Sequence, residues 1–324
     1  MRWTSAVFSL ALAMALPGPA FAQSEPFPNR AVRVIAPAGP GGNPDVLGRL
    51  LAAKFAETLG KPFVVENVPG AGGVVAANMV AKAPQDGHVL MLADSGALAI
   101  NPALNPNTSY HPQKDFTAIT AIATLPTAFV VPPTVTANTP AEFIALAEKE
   151  PGKLTYGSAG PGSIHHLTMA AFADRAGIEM LHVPYRGGSA MVNALLGGEI
   201  HAGWSGIPNV LSLIESGKLK ALCVSILERS KTLPNVPTCD ELGVKGFDIA
   251  TMLGLLGPVG MPAAVVATLQ AETGKALREP KMAERMVQLG VVMQENGTAH
   301  YRKFIADDMA RYAAIVQKLG LQIK

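Results

Sequence analysis

The chain has 324 residues, 49% hydrophobic and 15% charged, with a formal net charge of +2. So small a net charge argues against nucleic acid or a membrane surface as partner, and 32 Gly and 26 Pro fit an ordinary α/β protein with many turns. The length exceeds one comfortable hydrophobic core, so two lobes are expected.

The chain opens with Arg2, an apolar run over 6–16, the breakers Pro17-Gly18-Pro19 and the small-x-small site Ala20-Phe21-Ala22. This pattern predicts a cleaved secretory signal over 1–22 with Gln23 as first mature residue. The run is too short to span a bilayer, no later stretch is long enough without charges, and no lipobox cysteine follows. The mature protein is therefore expected to be soluble and periplasmic, with a formal charge reduced to about +1 by loss of Arg2.

From Phe27, β-rich runs alternate with helical ones. Strands are predicted at 32–36, 62–66 and 89–93, with helices at 45–59 and 74–82; this alternation implies a mainly parallel sheet with helices on both faces. Ligands of such sheets bind beyond the carboxyl ends of the strands. A second series follows a strand at 128–131. Thr139-Pro140-Ala141-Glu142 starts a helix, with Thr as N-cap, Pro at the first helical position and Glu three residues after the cap. Strands then fit 153–156, 180–183, 200–203 and 219–225, separated by helices. An apolar run at 250–258 precedes the closing helices, the last over 298–319 with Phe304, Ile305, Met309, Tyr312, Ala313, Val316 and Leu319 on one stripe. Crossings near 126–133 and 250–257 predict a discontinuous first lobe, 23–128 with 254–324, around a second lobe, 129–253.

Two cysteines occur, Cys223 in a strand and Cys239 in a Pro-rich turn. An exported compartment permits a bridge between them; the sequence leaves bridged and free thiols open.

Two glycine-rich loops join a strand to a helix, one in each half: Pro37-Ala38-Gly39-Pro40-Gly41-Gly42-Asn43-Pro44-Asp45 and Tyr156-Gly157-Ser158-Ala159-Gly160-Pro161-Gly162-Ser163. Helix N-termini present unpartnered N–H groups and partial positive charge, so such loops hold anions. The first lacks the third glycine of G-x-G-x-x-G, Pro44 standing there, and lacks a G-K-[ST] ending; dinucleotide and P-loop readings both fail. The second offers the Ser158 and Ser163 hydroxyls with N–H groups around Gly160 and Gly162, enough neutral donors to hold a carboxylate without arginine. Either loop alone also reads as a plain turn, and Asp45 as a partner of the helix dipole; facing each other, the loops form a clamp.

Ser95 and Gly96 follow the third strand on the same edge, and Pro69-Gly70-Ala71-Gly72-Gly73 and Arg186 lie near strand ends; for each, structural and functional roles weigh equally. Enzyme readings are weaker. Gly203-Trp204-Ser205-Gly206-Ile207 approaches the nucleophile elbow G-x-S-x-G but lacks its last glycine. A secreted hydrolase using Ser205 or Ser158 stands as the alternative. His165 and His166 are adjacent, point about 100° apart on a helix and lack metal-ligand spacing. Neither a metal nor a cofactor is expected.

Taken together, Val65-Glu66-Asn67, Pro69-Gly70-Ala71-Gly72-Gly73, Asp86-Gly87, Ala99-Ile100-Asn101-Pro102, Tyr156-Gly157-Ser158-Ala159-Gly160, His166-Leu167, His182-Val183-Pro184-Tyr185, Leu195-Leu196-Gly197-Gly198 and Val236-Pro237-Thr238 occur in a known order. The chain resembles the Bug-type solute receptors of tripartite tricarboxylate transporters over essentially all of its mature length. The resemblance implies a type II-like two-lobed periplasmic binding protein, each lobe a mainly parallel sheet flanked by helices, with the ligand cleft between. It further implies a small carboxylate as ligand, a membrane permease as partner and no catalysis. A sensor protein as the receptor's partner is the other possibility, and a monomer is the expectation for its own assembly.

The expected ligand-binding set is Pro40, Gly41, Gly42, Asp45, Ser95, Gly96, Ser158, Ala159, Gly160, Ser163, His166 and Ser205. Departures from the family pattern at Leu98, Ile164, Ser205 and Met252, with His165 and Trp204, are the expected determinants of specificity. They suggest a bulkier or more apolar acid.

Overall fold

The structure is a computed structural model that describes residues 26–321 other than 106, 295 and 296; the expected signal segment, 1–22, lies outside the described residues. The first unit is built from β1 (Val32–Ala36), α1 (Asn43–Leu59), β2 (Phe63–Asn67), α2 (Val74–Ala81) and β3 (Val89–Asp94), its strands parallel in the order β2-β1-β3. Gly48 lets α1 lie close to this sheet: a Cβ there would sit 3.5 Å from Leu92.

After the short α3 (Asn101–Leu104) the chain enters β4 (Phe116–Val131), 16 residues long and buried almost throughout. The second unit follows: α4 (Pro140–Lys149), β5 (Thr155–Ser158), α5 (Ile164–Ala176), β6 (Leu181–Pro184), α6 (Gly188–Leu196), β7 (Ala202–Gly206), α7 (Ile207–Glu215) and β8 (Lys220–Val224). Here β6-β5-β7 form the parallel core. Thr139 caps α4 by accepting the Glu142 N–H at 3.2 Å, and Glu142 reaches back to accept the Asn138 N–H, one residue before the cap, at 2.7 Å. The chain returns through β9 (Ala250–Pro258) to α8 (Ala263–Arg278), α9 (Pro280–Gln288), β10 (Val292–Met293) and α10 (Thr298–Leu319).

β4 and β9 join the two units and add antiparallel pairs to the parallel core of each. Residues 116–126 of β4 pair antiparallel with β9, and 127–130 pair antiparallel with β7 while 128–131 pair with β8. The exchange of partners falls at Pro126, whose missing N–H suits the end of a ladder. The strand expected at 128–131 is thus only the tail of β4; its earlier part holds the strand formers Phe116, Thr117, Ile119, Thr120, Ile122 and Thr124, interleaved with Ala and followed by Pro126, and the sequence reading passed over it.

Phe129, Phe143, Phe172, Trp204 and Phe247 form an aromatic centre in the second unit, with the Phe129–Trp204 rings stacked at 5.1 Å and Trp204–Phe247 at 5.3 Å. Ile100, Leu104, Tyr312 and Val316 share that core, so α3 and the end of α10 reach out of the first unit into the second. Lys318 meets Asp174 of α5 at 2.7 Å. Cys223 and Cys239, left open by the sequence, are bridged, with Cα atoms 5.2 Å apart.

Candidate functional site

The glycine-rich turns lie where helices start. α1, α2, α6 and α7 have Gly42, Gly73, Gly187 and Gly206 as N-caps, none with a side-chain capping bond. Their first-turn N–H groups and the positive ends of their dipoles are left for an acceptor. α5 differs: Ser163 caps it by accepting the His166 N–H at 3.3 Å, and donates to Gly160 O at 2.7 Å.

The starts of α1, α2, α5 and α6 surround a cavity of about 680 Å³ between the two units, which α7 reaches through Asn209. One wall comes from 37–40, 42–44 and 69–73, the other from 159–161, 163–165 and 185–190. Leu125 and Thr127 of β4 with Thr251 and Leu253 of β9 complete the lining, together with Asp94, Gly96, Asn193 and Asn209. Among the described lining residues Arg186 is the sole cation.

Of the expected set, Pro40, Gly42, Gly96, Ala159, Gly160 and Ser163 line the cavity, as do Ile164 and His165. The others stand behind it. Gly41, at φ 79°, faces Ser189 across the cleft, where a Cβ would lie 3.9 Å from Ser189 Oγ. Asp45 is buried and accepts from Gly41 N–H, Arg49 Nε and Asn67 Nδ2, each at 2.9 Å. Burial opposes its charge, yet these donors hold its carboxyl below the ordinary range. It fixes the loop rather than lining the cleft. Ser158 accepts the Gly160 N–H at 3.0 Å and lies 2.7 Å from His182 Nε2; His166 stacks on His182 at 4.3 Å. Ser95 donates to Asp308 and accepts from Met252 N–H. Leu98 and Met252 lie in a first-unit core, Trp204 lies in the aromatic centre, and Ser205 is fully buried with no partner for its hydroxyl.

Sequence reasoning passed over Asn43, Ser189, Asn193, Asn209, Leu125, Thr127, Thr251 and Leu253. Asn43 was within reach, since it directly follows Gly42 at the start of α1. The four strand residues share a face only through long-range pairing. Burial lowers the His165 pKa to about 4 and raises that of Asp94 to about 6 despite N–H donors from Ala97 and Gly96. At neutral pH His165 therefore offers the cavity an uncharged ring. Among the described residues no group of His, Cys, Asp and Glu could hold a metal ion.

A family model described as "Tripartite tricarboxylate transporter family receptor" matches residues 47–321. The fold is similar to that of the periplasmic binding protein BugD, with TM-score 0.88, 32% identity, and coverage of 92% of this chain and 100% of the other. It is similar to Rpa4515 of R. palustris, solved with adipate, at TM-score 0.89 and 29% identity over 91% of this chain and 99% of that one. It is also similar to MatC (Rpa3494) of Rhodopseudomonas palustris, solved with malate, at TM-score 0.86 and 30% identity over 90% and 100%. The two units are thus the lobes of a periplasmic binding protein, and the hydrolase alternative gives way to a receptor. The chain belongs to the tripartite tricarboxylate transporter family of solute receptors.

Proposed function

We propose that the protein binds a small carboxylate, a di-, tri- or aromatic acid, between its two lobes in the periplasm and delivers it to the membrane permease of a tripartite tricarboxylate-type system. The observation that carries this reading is the convergence of three glycine-capped helix starts, α1 and α2 from one lobe and α6 from the other, on one cavity. Such a wall favours an anion while committing few cationic side chains. The ligands of the two relatives, adipate and malate, make carboxylate the anion of choice.

In this reading Pro40, Gly42, Ala159, Gly160 and Ser163 hold one carboxylate, Asp45 and Ser158 shape the loops that present it, and Ile164 and His165 contact what is attached. The lobes are 23–128 with 254–324, and 129–253, and residues 1–22 are removed on export. Receptor function requires an open form that admits ligand and a closed form that grips it.

A thermal-shift screen with aliphatic, tricarboxylic and aromatic acids tests the reading. An acid at 100 times its Kd adds about 2.7 kcal/mol to apparent stability and raises Tm visibly. Absence of a shift with every acid removes the carboxylate assignment.

A further inference from the structure

The inner face of the cavity comes from two strands that belong to neither glycine-rich loop. Leu125 of β4 lies opposite Thr251 of β9 in the antiparallel ladder. Side chains alternate along a strand, so Thr127 shares the face of Leu125, and Leu253 that of Thr251. All four line the cavity.

The two threonines differ in what their hydroxyls do. Thr127 Oγ1 is 2.9 Å from Ser225 Oγ and thus engaged within the second lobe. Thr251 is only 5% exposed, and its Oγ1 has no hydrogen-bond partner. Native structures satisfy nearly all buried polar groups, so a buried lone hydroxyl on a ligand cavity marks a place where the ligand supplies the partner.

We propose that Thr251 is a specificity-determining residue whose hydroxyl pairs with an uncharged oxygen, a hydroxyl or carbonyl, on the inner end of the bound acid. This rests on the carboxylate-receptor reading. A threonine hydroxyl both donates and accepts, so either oxygen type satisfies it. A second carboxylate there would be stripped of water between Leu125 and Leu253 with one hydroxyl donor to replace it, a poor exchange. The sole lining cation, Arg186, sits in the loop between β6 and α6 and is exposed. A hydrocarbon end would leave the hydroxyl unpaired, and sites built to hydrogen-bond a group reject analogues that lack it.

Calorimetric titration with matched acids tests this: hexanoate, ω-hydroxyhexanoate and adipate, and benzoate against para-hydroxybenzoate. The hydroxylated member of at least one pair is expected to bind the wild-type protein about tenfold more tightly than its hydrocarbon counterpart. Thr251→Val should bring that ratio close to one, and Thr251→Ser should keep it, with melting curves confirming that both variants fold. A ratio that survives Thr251→Val overturns the proposal, as does wild-type protein binding adipate more tightly than ω-hydroxyhexanoate. Acids that bind with no hydroxyl preference defeat this proposal alone. If no acid binds the wild-type protein, the carboxylate-receptor reading falls and this proposal with it.

Discussion

Asp308 shows how one buried side chain ties the last helix to the cleft. Its carboxylate accepts from Ser95 Oγ at 2.6 Å, and Ser95 Oγ accepts the Met252 N–H at 3.1 Å, so α10, the turn after β3 and β9 are linked. Asp308 is 2% exposed, and burial raises its pKa to about 6 although Ser95 and Arg311 favour the charged form. An acid with a raised folded pKa binds more protons folded than unfolded between its two pKa values. Its contribution to stability is therefore present below the unfolded value, about 3.9 for Asp, and lost as pH rises through about 6. His165 and His182, both lowered to about 4 by burial, act in the opposite sense. Their contribution is present above the unfolded value, about 6.5 for His, and lost as pH falls through about 4. Asp308→Asn keeps an acceptor for Ser95 and cannot ionise. Its stability relative to wild type should rise between pH 4 and pH 8 by about 3 kcal/mol, read from denaturant unfolding at each pH. A pH-independent difference would show that Asp308 does not titrate in that window.

Elements with local signals were legible in the sequence, and those defined by pairing were not. β1, β9 and α10 occupy the spans their apolar patterns indicate, because alternation, caps and breakers act over a few residues. β4 was read only at its end although its first part holds Phe, Ile and Thr; what local pattern does not show is that the strand runs unbroken through Pro126, held by β9 more than a hundred residues away. The same separation explains the site. Both glycine-rich loops were visible, whereas Thr127 and Thr251 enter the cavity through the ladder that brings their strands together. Side-chain direction was equally hidden: nothing local reveals that Ser158 turns to His182 and Gly160, or that Trp204 joins an aromatic core. The disulfide is an element-scale constraint of the same kind. It links β8 to a turn 16 residues later, beside the Val224–Thr238 bridge, and neither cysteine lines the cleft. Replacing both cysteines by serine should cost about 3 kcal/mol of unfolding stability on the loop-entropy model, measured by denaturant melts, while acid binding persists. Unchanged stability would show that packing alone holds this excursion.

At the scale of the whole molecule the lobes touch across the cleft at a few small residues. Asn101 Nδ2 reaches Gly72 O at 2.9 Å in one lobe and Gly162 O at 3.2 Å in the other. Asn43, at the start of α1, lies against Gly206 at the end of β7, where a Cβ would sit 2.4 Å from Asn43 Nδ2. Gly206 has φ −56° and ψ 135°, a conformation open to any residue, so a side chain there meets no backbone strain. What it meets is the opposite lobe. Gly206→Val should therefore fold with each lobe intact but carry an overpacking penalty in the closed form. Overpacking costs about 1–3 kcal/mol, and falling on the closed state alone it weakens ligand affinity by about 5- to 150-fold. Small-angle scattering supplies the independent check, with an acid found in the thermal screen as ligand. Wild-type protein should contract on saturation, whereas Gly206→Val should contract less at equal occupancy and release the acid faster. Wild-type affinity together with full contraction in the variant would show that Gly206 is not a closing contact. A lowered melting temperature without ligand would instead place its role inside the second lobe.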